Sequence, residues 1–428
     1  MCMQKGDENM ETSIHAIACN KLLILFATIA ITGILCSKGS ELINIPDVVL
    51  FLIVGIFLGP SVLKLIDISQ FQLENQLILT FGSAFILYMG GKEVSLKVLK
   101  NVKISVLLLS TLGVVISAFC MAKIIGFNFR INFMTCLLAG SIIASTDPAT
   151  IVPIFNQVKI DKKVKQTVIS ESALNDATGA ILTVAVLSII MGGQFSIEEN
   201  ISNLCIMIIM GIIVGLVTGL VLLFLVNDSP KGIFKDYTPI ISILSVIIAY
   251  ELSTYLGGSG YMSCFIVGLV TGNKQNFKLW LSQKHYDADC SVAETLGTIC
   301  RMCIFIILGS QVQLDILFKY FIPSLLCVLG LIFIVRPLCV LACILVDRKA
   351  KWNKKQILFI MWVRETGVIP AALCGIITTM KVPGSEIISS IVFMTILITL
   401  ILQGSTTKLV AKKLNLLEAE LAVDEDKK

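Results

Sequence analysis

Ser145-Thr146-Asp147-Pro148-Ala149-Thr150-Ile151-Val152-Pro153 stands inside an apolar stretch long enough to span a bilayer. Glu171-Ser172-Ala173-Leu174-Asn175-Asp176 stands inside the next such stretch. An ionisable side chain at membrane depth costs at least ~2.5–3.5 kcal/mol on insertion scales, so carboxylates in two consecutive segments mark a functional site. Proline removes a helical hydrogen bond and clashes with the preceding turn, so Pro148 and Pro153 are expected to break the first segment. Backbone unwound at that depth must be buried in protein or line a polar cavity. Carboxylates beside a broken helix at mid-membrane are the ingredients of a cation site.

The rest of the chain agrees with a membrane setting. Of 428 residues, 56% are hydrophobic and 15% charged, which excludes a soluble domain. The reading is an all-α membrane protein with about thirteen transmembrane helices. They are expected near 21–38, 45–63, 73–91, 103–125, 132–155, 165–191, 201–226, 238–256, 258–273, 294–313, 320–346, 356–380 and 385–407. The 238–273 pair has almost no loop between its members. Loops are short, so a single polytopic domain (1–428) is expected, without a cytosolic regulatory module. With the N-terminus outside, most of the 34 Lys and Arg fall in inner loops and the C-terminal tail, notably Lys92–Lys103, Lys159–Lys165 and Arg348–Lys355. The opening segment carries Asp7, Glu8 and Glu11 rather than the basic flank of a secretory signal, and reads as a retained span.

The 14 cysteines fall mostly within apolar spans, where they behave as small hydrophobes. Cys300-x-x-Cys303 has the spacing of a metal or redox motif but lies inside a span without a second pair, so packing is its expected role. His15 and His285 have no partner cluster. Neither a resident cofactor nor a zinc site is expected, and no nucleophile–histidine arrangement suggests an enzyme. The net charge of +5 reflects topology and gives no reason to expect a nucleic-acid partner.

Ile53-Val54-Gly55-x-x-x-Gly59 recurs as Ile266-Val267-Gly268-x-x-x-Gly272, and Asp147-Pro-Ala-Thr-Ile-Val-Pro153 is echoed by Arg364-Glu-Thr-Gly-Val-Ile-Pro370. Both matches lie seven spans apart, an odd number, so the copies face opposite ways. This predicts two inverted-topology repeats, 14–191 and 238–410, with crossed discontinuous helices in spans five and twelve. Residues 199–227 become a linker helix whose Gly211-x-x-x-Gly215-x-x-x-Gly219 face packs closely, and 411–428 a short cytoplasmic tail. At 1.5 Å per helical residue, Asp176, Asp147, Arg364 and Arg336 each lie roughly 12–16 Å from the cytoplasmic ends of their spans. Four ionisable groups from four segments converge on one plane.

On span six, Glu171 and Asn175 are four residues apart, as are Ser172 and Asp176, so the two pairs form neighbouring ridges. Asp176, Asp147, Ser172, Thr146 and freed carbonyls at 146–148 supply the hard oxygens an alkali cation wants. A desolvated carboxylate holds a proton or a cation, not both, and that competition suffices for exchange. Asp147 is open to a second role as the cap of the broken helix. Arg364 and Arg336 each need a carboxylate partner. Glu171 with Arg364 is the first pairing, bridging spans six and twelve, and Arg336 before Pro337 is assigned to a broken-helix end or the same cluster. Arg301 is open between snorkelling to the surface and function, and Glu251 and Glu365 are open between packing and solvent contact.

The chain resembles the NhaP-type sodium/proton antiporters of the monovalent cation:proton antiporter superfamily. The resemblance rests on Thr146-Asp147-Pro148, Glu171-Ser172-x-x-Asn175-Asp176, Arg364 with Pro370, Gly59-Pro60 and Gly90-Gly91-x-x-x-Ser95-Leu96, and runs over nearly the whole chain. It implies a homodimer in the cell membrane, with a six-helix core moving against a dimerisation scaffold. It also implies Asp176 as carrier of cation and proton, Thr146, Asp147, Ser172 and Asn175 assisting, and Glu171–Arg364 as a structural bridge. Asn-Asp in place of the Asp-Asp of the electrogenic branch suggests one cation per proton. Met89 stands where many relatives have an acidic residue, which removes a ligand from span three. Sodium or lithium is the expected cation. A potassium exchanger of the same fold and a non-transporting sensor on this scaffold are the alternatives.

Overall fold

In the computed structural model, residues 2–43, 45–67, 71–158, 160–192, 197–227, 233–277 and 283–417 are described. Residues 418–428 of the expected tail lie outside them. Among the described residues the chain is helical, apart from an isolated bridge pairing Ile160 with Leu417. The first half comprises α1 Cys2–Ile43, α2 Asp47–Leu58, α3 Gln72–Glu93, α4 Leu96–Ser110, α5 Leu112–Phe129, α6 Phe133–Ile142, α7 Pro148–Val158 and α8 Lys162–Ile190. After α9 Ile197–Val226 come α10 Thr238–Tyr255, α11 Gly260–Gly272, α12 Gln283–Ser310, α13 Leu314–Lys319 and α14 Phe321–Gly330. The chain continues through α15 Arg336–Ile344, α16 Lys354–Trp362, α17 Val368–Thr379, α18 Ser385–Ile398 and α19 Ser405–Lys413.

Among the described residues, 8 helical stretches are long and apolar enough to cross a membrane, and α2, α6, α11 and α17 are shorter apolar helices. Their outward faces carry large apolar side chains such as Leu35, Phe57, Leu73, Phe127 and Ile240. An exposed apolar surface of this extent suits lipid rather than water. The expected span 103–125 is the middle of a helical run from Leu96 to Phe129, interrupted only at Thr111. The tight junction between spans eight and nine is a turn at 256–259. Gly257 takes φ +75° there, and the Ser259 hydroxyl accepts from the Met262 N–H to start α11.

Close packing follows the small residues. A Cβ on Gly55 would strike the Ile306 backbone on α12, and one on Gly268 would strike the Tyr88 carbonyl on α3. The α2–α12 and α3–α11 pairs therefore approach backbone to backbone, as small-residue interfaces in membranes do. The Gly211, Gly215 and Gly219 face of α9 lies against Ser259, Ser263 and Val267 of α11, as its spacing predicts.

Two expected spans are each split. Residues 143–147 separate α6 from α7, and residues 363–367 separate α16 from α17. Asp147 precedes a proline, which disfavours helical backbone there, while Pro148 needs no N–H partner at the first helical position. Pro370 falls in the first turn of α17, where an N–H would have no intrahelical acceptor. Pro153 does not contribute to the break, because α7 runs through it. Two further irregularities are π-helical turns, Leu331–Val335 before α15 and Thr399–Gly404 before α19. Pro337 accounts for the first: it removes the N–H that would bond the Phe333 carbonyl, and the backbone inserts an extra residue.

Candidate functional site

The two unwound segments touch. Asp147 donates its main-chain N–H to the Glu365 carbonyl at 3.0 Å. Its Oδ2 accepts from the Val368 N–H at 2.7 Å, so Asp147 caps α17 from across the molecule. Gly367 makes room for that carboxylate, which a Cβ at 367 would strike. In the opposite direction, Arg364 Nη2 donates to the carbonyls of Ile143 and Ala144, both at 2.8 Å, at the C-terminal end of α6. Arg336 Nε and Nη2 donate to the carbonyls of Ile360 (3.2 Å) and Val363 (3.3 Å), at the C-terminal end of α16. Helix C-termini carry partial negative charge and N-termini partial positive charge. Each arginine therefore sits on a negative end, and Asp147 on a positive one.

Alongside the first break runs α8. Ser172 Oγ donates to the Thr146 carbonyl and accepts from Thr146 Oγ1, both at 2.9 Å. Asn175 accepts from the Thr146 N–H at 3.2 Å and donates through Nδ2 to Thr146 Oγ1 at 2.8 Å. These bonds fix the unwound Thr146 against α8. They also leave one lone pair on each of the two hydroxyl oxygens. One residue on, Asp176 is 3% exposed, and neither carboxylate oxygen has a hydrogen-bond partner among the described residues. Ser145, whose buried Oγ is also unpartnered, packs against Gly179 one turn further along α8. The site thus gathers buried oxygens on Asp176, Ser172, Thr146 and Ser145 beside the break.

The expected pairing of Glu171 with Arg364 is not what forms. Glu171 takes a bidentate bridge from Arg336, Oε1 to Nη1 at 2.5 Å and Oε2 to Nη2 at 3.0 Å, with both side chains buried. Arg364 instead lies against the α6 carbonyls, and its Nη1 has no hydrogen-bond partner among the described residues. The reason is geometric. The π turn before Arg336 re-aims α15, while the frayed carbonyls of α6 offer Arg364 neutral acceptors that no ion-pair argument counts.

Among the residues left open, Glu251 is exposed, whereas Glu365 is fully buried with both carboxylate oxygens unpartnered. Arg301 of α12 lies 3.7 Å from Asp47 at the start of α2, a pairing not foreseen. Met89 packs its thioether toward Gly297 of α12, so α3 brings no carboxylate at that position. Lys92 and Asp289 form a buried bridge at 2.6 Å between α3 and α12. Thr399 and Gln403 were also missed. Thr399 Oγ1 accepts from the Thr366 N–H at 3.2 Å, and the Gln403 amide donates to the Trp362 carbonyl. Their spacing of four residues on an otherwise apolar span was the available signal.

Comparison with known proteins places this arrangement. The profile of the family described as "Sodium/hydrogen exchanger, transmembrane" matches residues 24–413. Na(+)/H(+) antiporter 1 of Methanocaldococcus jannaschii is 30% identical over 416 residues, 90% of this chain and 93% of that protein. Probable Na(+)/H(+) antiporter 2 of the same organism is 29% identical over 423 residues, 90% of this chain and 94% of that one. The K(+)/H(+) antiporter NhaP2 of Shewanella sp. (strain MR-4) is 27% identical, over 92% of this chain and 67% of that protein. Among solved structures, the sodium proton antiporter MjNhaP1 at pH 8 superposes with a TM-score of 0.75 and 28% identity, covering 93% of this chain and 100% of that one. Buried carboxylates, paired helix breaks and these likenesses agree, and the chain belongs to the sodium/hydrogen exchanger family, as an NhaP-type member.

Proposed function

We propose that the chain exchanges a monovalent cation, sodium or lithium first, for a proton, one for one, with the two competing for Asp176. The observation that carries this is the Asp176 carboxylate, buried at 3% exposure, with neither oxygen hydrogen-bonded among the described residues and the Ser145 hydroxyl close by. An ionised carboxylate in that setting needs a counter-charge, and a proton or a small hard cation supplies it. Ser172 and Thr146 offer their remaining lone pairs, with Asn175 holding Thr146 in place and Asp147 completing the break. Glu171 and Arg336 are the structural bridge, and Arg364 the brace of α6.

Thirteen spans in two inverted repeats fit the packing. If α2 corresponds to α11 and α3 to α12, the α2–α12 pair maps onto α11–α3, and both are glycine-mediated contacts. Gly91-x-x-Val94-x-Leu96 and Gly309-x-x-Val312-x-Leu314 then occupy equivalent helix ends. The Val94 carbonyl accepts from Asn273 at 2.7 Å, and the Val312 carbonyl from Ser61 at 2.8 Å. In each break a threonine N–H is held by the following span, Thr146 by Asn175 and Thr366 by Thr399. Crossed half-helices, an N-out and C-in orientation, alternating access and a homodimer in the cell membrane complete the reading.

The test is a dye-quench assay in everted vesicles, adding Na⁺, Li⁺ and K⁺ separately across pH. Asp176→Asn keeps a weak amide ligand but cannot exchange a proton, so it should abolish cation-driven proton movement while the protein stays folded in the membrane. Full activity of that variant in reconstituted vesicles would refute Asp176 as carrier. Potassium is the second reading, favoured by the NhaP2 relatives and by Met89 in place of a carboxylate on α3. Quench recovery with K⁺ alone would select it.

A further inference from the structure

Behind the second break, on the side of α19, lies a polar cluster that the exchange site does not use. Glu365 is 0% exposed in this cluster, and both its carboxylate oxygens lack a hydrogen-bond partner among the described residues. Gln403 is equally buried. Its amide nitrogen is engaged by the Trp362 carbonyl, which leaves Oε1 an unpartnered acceptor. Thr407, one turn along the same face, directs its hydroxyl to the Gln403 carbonyl at 2.7 Å. Thr366 Oγ1, beside Glu365, is unpartnered as well. The π turn at Thr399–Gly404 is what brings Thr399 and Gln403 onto the break. Such turns in otherwise regular helices recur at functional sites.

Among the described residues, the charged groups around the break leave Glu365 without an ion-pair partner of its own. Arg336 of α15 is the nearby cation acting on it, and that guanidinium is already neutralised by the bidentate bridge to Glu171. Arg364, the preceding residue, turns to the α6 carbonyls. Asp147, whose N–H bonds the Glu365 carbonyl, is a further negative charge. Thr407 contributes only a hydroxyl. A buried carboxylate whose one nearby cation is already matched by another carboxylate keeps most of its desolvation penalty, and carrying it as the neutral acid removes that penalty. Protonation also supplies what the cluster lacks, because two carboxylate oxygens and an amide oxygen are acceptors and one O–H is a donor.

We propose that Glu365 is a second proton-binding site of this chain, distinct from Asp176: a carboxylic acid in the membrane interior whose proton the transported cation does not displace. The protonation of Glu365 stands separately from the exchange reading, and only its insensitivity to the transported cation rests on that reading. Its consequence for exchange is that the core binds two protons when free of cation and keeps one when loaded, so that only the Asp176 proton turns over.

The test is infrared difference spectroscopy of the full chain reconstituted in liposomes at neutral pH, reading the carbonyl stretch of protonated carboxylic acids. Glu365→Gln should remove one such band, and Asp176→Asn a different one. Saturating Na⁺ (or K⁺, if that is the cation exchanged) should abolish the Asp176 band and leave the Glu365 band. Should Glu365→Gln fail to fold, Glu365→Asp keeps the acid and should move the same band instead of deleting it. A spectrum unchanged by both substitutions would mean Glu365 is ionised, and cation-induced loss of its band would make it a cation ligand. Either result overturns the proposal.

Discussion

Removing either half of the Glu171–Arg336 bridge strands a charge in the membrane interior. The two side chains are joined at 2.5 and 3.0 Å and are almost wholly buried. Breaking a buried pair from one side typically costs about 3–5 kcal/mol, because the remaining charge keeps its desolvation penalty. Glu171→Ala should show that full loss, since a guanidinium cannot shed its proton. Arg336→Ala frees Glu171 to take up a proton, which lowers the electrostatic loss. It also abandons the carbonyls of Ile360 and Val363, at about 1.5–3 kcal/mol for each hydrogen bond to a charged group. The double variant leaves no stranded charge and should lose little beyond those two carbonyl bonds, giving a coupling energy of roughly 3 kcal/mol, the upper end for contacting residues. Thermal unfolding of the four proteins in detergent measures it. Arg364 supplies the comparison: it makes no ion pair with Glu171 and feels that charge only across the core, so the Glu171→Ala/Arg364→Ala coupling should be clearly smaller than that of Glu171 with Arg336. Stronger coupling of Glu171 to Arg364 than to Arg336 would refute this arrangement of the core.

Asp147→Asn keeps an oxygen for the Val368 N–H, whereas Asp147→Ala removes it. Both variants lose the charge, so the alanine variant should be less stable than the asparagine variant by the worth of the cap, about 0.5–2 kcal/mol, in the same melting assay. Exchange should be electroneutral, so a potential imposed with valinomycin in Na⁺-driven vesicles should leave its rate and end point unchanged. Sustained potential-driven accumulation would mean a second group gives up its proton to the cation. On the proposed competition of proton and cation for Asp176, acidification should raise the apparent KM for the cation while the maximal rate at saturating cation holds. A falling maximal rate with constant KM would place the acid effect elsewhere.

What was legible in the sequence was whatever depends on a residue type being costly at its depth. Asp147, Glu171, Asp176, Arg336 and Arg364 stand out because hydrocarbon penalises them wherever they point. Close helix contacts were legible because glycine at such contacts leaves a fixed spacing, and both glycine pairs do meet a neighbouring backbone. Partner choice was not legible. The Glu171–Arg336 bridge depends on the π turn at Leu331–Val335, a one-residue shift with little signature beyond Pro337. The seat of Arg364 depends on main-chain carbonyls, which every residue owns and no pattern marks. Pro153 misled for the related reason that a proline reports a missing N–H without saying how the helix absorbs it.

The breaks bring four helix ends into the protein interior, and their charges are not met symmetrically. The C-terminal ends of α6 and α16 are negative, and each receives a guanidinium, from Arg364 and Arg336. The N-terminal end of α17 is positive and receives Asp147. The N-terminal end of α7 begins at Pro148, which has no N–H to give. The first turn of α7 contains no acid. Asp147 offsets Arg364, and Glu171 offsets Arg336, so the fixed groups sum to zero without Asp176. A carboxylate outside a balanced frame is the one whose charge a mobile ion can set. The asymmetry between the two breaks supports the proposed exchange site on the α8 side. On the α19 side, the same reasoning supports the proposed neutral Glu365, because the nearby Arg336 is already matched by Glu171.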